Sequence, residues 1–300
     1  MKANHEVVPA KGSAMSDGEN RKRTIRLKLG MVPAFLIVLL FVISALFANF
    51  IAPYSPEEIN LEESLTPPSF QRGGMREHLL GTDLLGRDIL SRVIYGARVS
   101  LIVGLLGVLA SSIIGGGLGV IAGYKGGLGD TIISRIADVM LGFPTILLAL
   151  ILAVTIGPSL FVVSLIIVLV YWSRYCRQAR GETLQIREMG YVTLARTAGC
   201  SDLTIMGRHV LPNVLNSLIV LATFNLGTVI TLEASLSFLG AGIPPPTPSW
   251  GSMCADGEAL LIQAWWVSFM PGIAITLVVL SANLFGDWVR DKLDPRLRDL

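Results

Sequence analysis

Val99-Ser-Leu-Ile-Val-Gly-Leu-Leu-Gly-Val-Leu-Ala-Ser-Ser-Ile-Ile-Gly-Gly-Gly-Leu-Gly-Val-Ile-Ala122 is a run of 24 residues without one charged side chain. About 20 apolar residues in a helix cross roughly 30 Å of hydrocarbon, so the run predicts a membrane span. Five more apolar stretches lie around it. Residues 31–51 carry no charge and follow a polar tail, which reads as an uncleaved anchor. Residues 136–156 contain Asp138 and Pro144, and residues 157–172 are short for a crossing. Residues 214–240 contain Asn225 and Glu233, and residues 267–286 complete the set. Composition agrees: 52% of the chain is hydrophobic and only 15% charged, far below a soluble domain.

Six spans place both ends on one side, and the basic residues say which. Nineteen of the 24 Lys and Arg fall in the N-terminal tail, the 123–135 and 173–213 loops and the C-terminal tail; that side is read as cytoplasmic. The other five lie in 52–98. Arg87, Arg92 and Arg98 are explained there by an amphipathic helix in the interface, capped by Thr82 or Asp83 and carrying Leu85, Ile89, Val93 and Ala97 on one face. The 51–76 stretch reads as an extended outer loop. In 241–266, four prolines stiffen the chain and Trp250, Trp265 and Trp266 are expected at the membrane–water boundary. Residues 1–30 form a tail whose first 24 residues read as disordered, and 289–300 form a second tail.

The sequence holds no fuel site. No G-x-x-x-x-G-K-[ST] occurs, so a P-loop is missing. Cys176, Cys200 and Cys254 form no C-x-x-C pair, and no histidine lies in an apolar run. Gly115, Gly119 and Gly123 recur every four residues and predict close helix packing, a better account of the local G-x-G-x-x-A than a nucleotide loop. Nothing points to nucleic acid, a bound metal or a catalytic residue.

The segment from Tyr191 to Asn213 reads Tyr-Val-Thr-Leu-Ala-Arg-Thr-Ala-Gly-Cys-Ser-Asp-Leu-Thr-Ile-Met-Gly-Arg-His-Val-Leu-Pro-Asn. Val192, Ala195 and Ala198 share a face of one short helix, which Gly199 ends in a left-handed conformation. Ser201 caps a second helix with Leu203, Met206 and Val210 as an apolar stripe, and Pro212 interrupts the pattern. A helix–turn–helix outside the membrane with an apolar face either lies on the bilayer or docks in a partner's groove.

That segment resembles the coupling loop of binding-protein-dependent ABC permeases, with pattern E-A-A, three residues, G, nine residues, I-x-L-P. Thr193, Leu194 and Ala195 stand for E-A-A, Gly199, Leu211 and Pro212 match, and His209 replaces Ile. Further strings, among them Leu80-Gly-Thr-Asp-Leu-Leu-Gly-Arg-Asp88, Ala122-Gly-Tyr124, Leu236-Ser-Phe-Leu-Gly240 and Asn283-Leu-Phe-Gly-Asp-Trp-Val-Arg-Asp-Lys-Leu-Asp-Pro295, are similar to the C-type permease of dipeptide and oligopeptide importers. The resemblance implies an all-α fold of the type I importer (MetI-like) class, with a transmembrane core over 99–288 and a coupling loop at 190–213. It implies an inner-membrane heterodimer with a B-type permease, two ATPase subunits that bind ATP and Mg, and an extracytoplasmic binding protein. Peptides are the expected cargo; nickel and glutathione are alternatives within the family.

Ala195, Arg196, Gly199, Ser201, Asp202, Leu203, Met206, Arg208, Leu211 and Pro212 are the coupling residues this implies. Glu233, Asn225 and Asp138 are candidates for the translocation path, because a charge in hydrocarbon is costly. Asp138 has the alternative of an interfacial ion pair with Arg135, and Glu233 that of bonding a neighbouring helix. Arg92, Arg98 and Trp250 are candidate outer contacts for the binding protein. A secondary transporter would need its own ion site in repeated halves, and a scaffold would not explain the glycine-rich spans.

Overall fold

The computed structural model describes residues 17–293, and side chains within it from residue 32. Helix α1 runs Asp17–Leu46 and is followed by the single turn α2, Ala48–Ile51. The first eight of its residues therefore belong to a helix, although they read as disordered in sequence; residues 1–16 and 294–300 lie outside the described residues. The long helices that follow are α3 (Ile89–Lys125), α6 (Leu160–Ile186), α9 (Leu211–Phe238) and α11 (Trp266–Leu293). Between them lie α4 (Gly127–Gly142), α5 (Thr145–Ile156), α7 (Gly190–Thr197), α8 (Asp202–Ile205) and α10 (Trp250–Glu258). No strand occurs among the described residues.

Four helical stretches are long and apolar enough to cross a membrane, and the α4–α5 pair makes a fifth. Val32–Leu46 is a shorter apolar helix. The 136–156 stretch, expected as one span containing Pro144, is divided between α4 and α5, which meet at a bend of 92°. Pro144 forces Phe143 into an extended conformation (φ −76°, ψ 136°) and interrupts the hydrogen-bond ladder, so α4 ends there. The 157–172 span is also longer than expected. Ser159 accepts from the Val162 amide at 3.1 Å to start α6, and the helix continues to Ile186 because Tyr175, Cys176, Ala179, Thr183 and Ile186 keep one buried face.

The α3–α6 pair is the most extensive helix contact described, and glycine makes it possible. A Cβ at Gly115, Gly119 or Gly123 would lie 2.8 Å from the Cβ of Tyr175, Ala179 or Thr183 respectively, well inside contact distance. The expected small-residue stripe is therefore the seam of this pair. Half of the most apolar stretch of α3 and of α6 is buried within the chain, against 28% for α11, so α11 leaves most of that stretch uncovered by its own chain.

The separate interfacial helix does not form. Residues 82–88 are a loop, and Leu85 lies in it, exposed. The cap is Asp88, whose carboxylate accepts from the Ser91 amide at 2.7 Å, so Ile89 begins α3 itself. Nor is 51–76 a simple extended loop. Its backbone pairs with the 79–85 stretch: the Leu65 amide donates to the Asp83 carbonyl and the Thr82 amide donates to the Thr66 carbonyl, both at 3.0 Å. Gly86 adopts φ +73°, and a Cβ there would strike the Asn60 carbonyl.

Candidate coupling turn and its supports

At the end of the bundle formed by the C-termini of α3 and α6, the chain makes a compact helix–turn–helix. Gly199 adopts φ +82°, and the Cys200 amide reaches back to the Ala195 carbonyl at 3.1 Å, closing α7 as the sequence predicts. The Ser201 hydroxyl accepts from the Thr204 amide at 3.3 Å and starts α8.

The apolar face is divided otherwise than expected. Met206 and Val210 are buried, together with Val192 and Ile205, in the core that contains Tyr124, Ile186 and Val214. They fasten the turn to this chain. Leu203 is 77% exposed and Leu194 70%, and these two leucines stand on the outer side with Arg196, Gly199, Ser201, Asp202 and Arg208. Ala195 and Leu211 are half-buried between the two sides. At 100° per residue Leu203 lies about 200° from Ile205, and the π turn at Met206–Val210 breaks the α-helical register that would otherwise return Val210 to the side of Leu203.

Pro212 does not interrupt the helix. A π turn at Met206–Val210 precedes it, and Pro212 sits in the first turn of α9. Pro212 lacks the amide that would reach the Arg208 carbonyl, and the wider turn absorbs that missing bond. The result is a continuous helical stretch from Asp202 to Phe238 that joins the turn to a span.

Residues outside the motif complete the site. The Tyr124 hydroxyl donates to Asp202 Oδ1 at 3.1 Å, and the Arg196 guanidinium lies 5.7 Å from the Tyr124 ring centroid. Arg187 Nη1 donates to the Gly123 carbonyl at 2.8 Å. Arg180 makes a two-pronged pair with Asp130, tying α6 to α4. Tyr124 ends the Ala122-Gly-Tyr124 string, but its link to Asp202, 78 residues away in sequence, has no local signal.

The remaining candidates are dispersed. Asp138 pairs with Arg177 of α6, and not with Arg135. Residues 135 and 138 lie three apart on α4, but Arg177 approaches from the facing helix. Glu233 is fully buried in α9, accepting from Ser237 at 2.8 Å and from Ser100 of α3 at 3.3 Å. Asn225 is buried with its Nδ2 unpaired.

Two of the candidate outer contacts face inward. Arg92 is 3% exposed and lies between Asp83 at 3.5 Å and Asp256 at 3.7 Å, an environment that a surface arginine has no need of. Trp250 is 2% exposed and donates to the Val93 carbonyl at 2.9 Å, over the gap left by Gly96. Trp266 is likewise internal and donates to the Thr82 carbonyl at 3.1 Å. An indole buried with its N–H satisfied gains more than one left at the boundary. Arg98 is half-buried and donates to the Ala45 carbonyl at 2.9 Å, joining α3 to α1.

Residues 115–299 match the family described as "Binding-protein-dependent transport system inner membrane component". The chain belongs to that family. Residues 20–68 of the permease also match the "N-terminal TM domain of oligopeptide transport permease C". Among its relatives, the "Di/tripeptide transport system permease protein DppC" of Pseudomonas aeruginosa is 44% identical over 90% of this chain and 89% of its own. The "Dipeptide transport system permease protein DppC" of Escherichia coli is 46% identical over 92% and 91%. A solved structure described as "Inward facing conformations of the MetNI methionine ABC transporter" superposes with a TM-score of 0.56 and 18% identity, over 68% of this permease and 96% of that chain. The fold is thus the all-helical type I importer permease fold, and the chain is a multi-pass permease subunit of an ABC importer.

Proposed function

We propose that this permease moves di- or oligopeptides into the cell by alternating access, driven by separate ATPase subunits at the Gly199 turn. The observation that carries the coupling is the division of that turn. One side is anchored by Val192, Ile205, Met206 and Val210, and the other presents Leu194 and Leu203. A subunit gripping the exposed side moves α9 directly, because the turn is continuous with that span. The turn then faces the cytoplasm with both termini, as the basic residues require. A B-type permease completes the path, two ATPases bind ATP and Mg, and a binding protein delivers cargo to the end holding residues 52–88 and α10. The peptide cargo follows from what the relatives' names say they carry.

Transport needs nucleotide and cargo to favour different states of the bundle. Gly199→Val removes the glycine from a left-handed conformation, at a cost of roughly 1–2 kcal/mol in the turn. In vesicles holding the reconstituted complex, this variant is expected to lose uptake of a labelled dipeptide while its spans still unfold at the wild-type temperature. Full uptake by the variant refutes the turn as coupling element. Nickel or glutathione outcompeting an unlabelled peptide refutes the cargo.

A further inference from the structure

Tyr124 is the penultimate residue of α3 and is 7% exposed. Its surroundings tie one end of α3 to both sides of the Gly199 turn. Asp202, which opens α8, accepts its hydroxyl at 3.1 Å; Arg196, in the last turn of α7, covers its ring. One residue earlier, Arg187 Nη1 holds the Gly123 carbonyl at 2.8 Å. The other end of α3 is held as firmly. Asp88 caps it, Arg92 lies between Asp83 and Asp256, and Trp250 Nε1 donates to the Val93 carbonyl.

The apolar contacts under the turn cannot do the same work. Burial of Ile205 and Met206 is non-directional, so it keeps the turn against the bundle without setting its rotation. A hydrogen bond sets both distance and angle. A helix of 37 residues is about 55 Å long, so rotation fixed at one end reaches the other. We propose that Tyr124 is a positioning residue that transmits movement of the coupling turn into α3, and through α3 to the end that carries Arg92 and Trp250. This rests on the coupling assigned to the turn above.

The test uses the whole importer in vesicles, with its binding protein. Tyr124→Phe keeps the ring, and with it the packing and the contact with Arg196, and removes only the hydroxyl. Binding-protein-stimulated ATP hydrolysis and uptake are expected to fall about fivefold or more, the lower end of ordinary coupling, while basal hydrolysis and ATPase retention stay within about twofold of wild type. Asp202→Ala breaks the same bond and leaves the core intact; because Asp202 also stands on the exposed side, its ratio is read in preparations that retain the ATPase within about twofold of wild type, and there it reports even where Tyr124→Phe assembles poorly. It is expected to lower the stimulated-to-basal ratio equally, and the double variant to be no worse than either single one. Asp202→Asn keeps an acceptor and is expected to restore most of the ratio.

Gly199→Val separates the two layers of the argument. If it abolishes stimulation while Tyr124→Phe and Asp202→Ala leave the ratio unchanged, the turn acts through another contact and the role of Tyr124 is overturned. Additive losses in the double variant overturn it as well. If Gly199→Val itself keeps full stimulation, the coupling assigned to the turn is what fails.

Discussion

The seam between α3 and α6 makes a prediction whose sign changes along one helix. An alanine at position 115, 119 or 123 puts its Cβ 2.8 Å from a facing Cβ, and at each of the three also against a backbone carbonyl of α6. Carbon atoms rest about 3.5–4.0 Å apart, so the helices must separate by roughly 1 Å or twist. Overpacking of that kind costs about 1–3 kcal/mol per site. Gly117 lies between these positions on the same helix, and a Cβ there meets nothing within 4 Å. Gly117→Ala should instead gain about 0.8–1 kcal/mol of helix propensity. The two kinds of substitution are therefore expected to differ by roughly 2–4 kcal/mol, although chemically identical. Denaturant titration of the purified importer, followed by tryptophan fluorescence, measures this difference. Equal effects at 117 and 119 would refute the claim that these glycines serve close approach.

Two further outcomes follow from the polar groups. His78 is buried between Asp88 (2.9 Å to Nδ1) and Glu63 (3.0 Å to Nε2). Burial lowers its pKa, but the hydrogen bonds to Asp88 and Glu63 outweigh this and the net shift is upward. The folded value exceeds the unfolded one, so this clasp contributes fully below pH about 6.5 and is lost as pH rises through the raised value. Limited proteolysis near Arg72 and Arg76 is expected to accelerate between pH 6 and 9, and the His78→Gln variant to show no such dependence. Glu233 bridges α9 to Ser100 of α3, which makes it a structural link between helices. Glu233→Gln is expected to keep dipeptide uptake within about twofold, whereas Glu233→Leu leaves buried hydroxyls short of a partner and costs about 1–2 kcal/mol. A tenfold loss of uptake in the glutamine variant, with stability intact, would return Glu233 to the translocation path.

Local chemistry explains what was legible in the sequence. The left-handed Gly199, the Ser201 cap and the glycine stripe each depend on residues within a turn or two of one another, so spacing alone revealed them. The charge-free runs revealed most of the long helices for the same reason. What spacing missed depends on residues far apart. Arg92 was placed in the headgroup layer because three arginines at its level look like a solvated face; Asp256, which draws it inward, comes 164 positions later. Trp250 looked like a boundary anchor until Gly96 supplied its pocket. Pro144 could kink a span or end one, and its neighbours do not distinguish these cases. The apolar run of 157–172 stops ahead of Arg174, Arg177 and Arg180, although Tyr175, Ala179 and Ile186 keep a helical period through those charges.

The exposed side of the coupling turn is small. Its two leucines, fully covered, contribute about 3–6 kcal/mol, which alone corresponds to attachment between millimolar and tens of micromolar, before any cost of immobilising a subunit. A lone copy of this handle is too weak to keep a motor engaged through a working cycle. On the proposed coupling, durable attachment needs simultaneous grips on a paired subunit, where tethering raises the local concentration of the second contact. Weakness at each grip is also what lets either one slip and re-seat while the other holds.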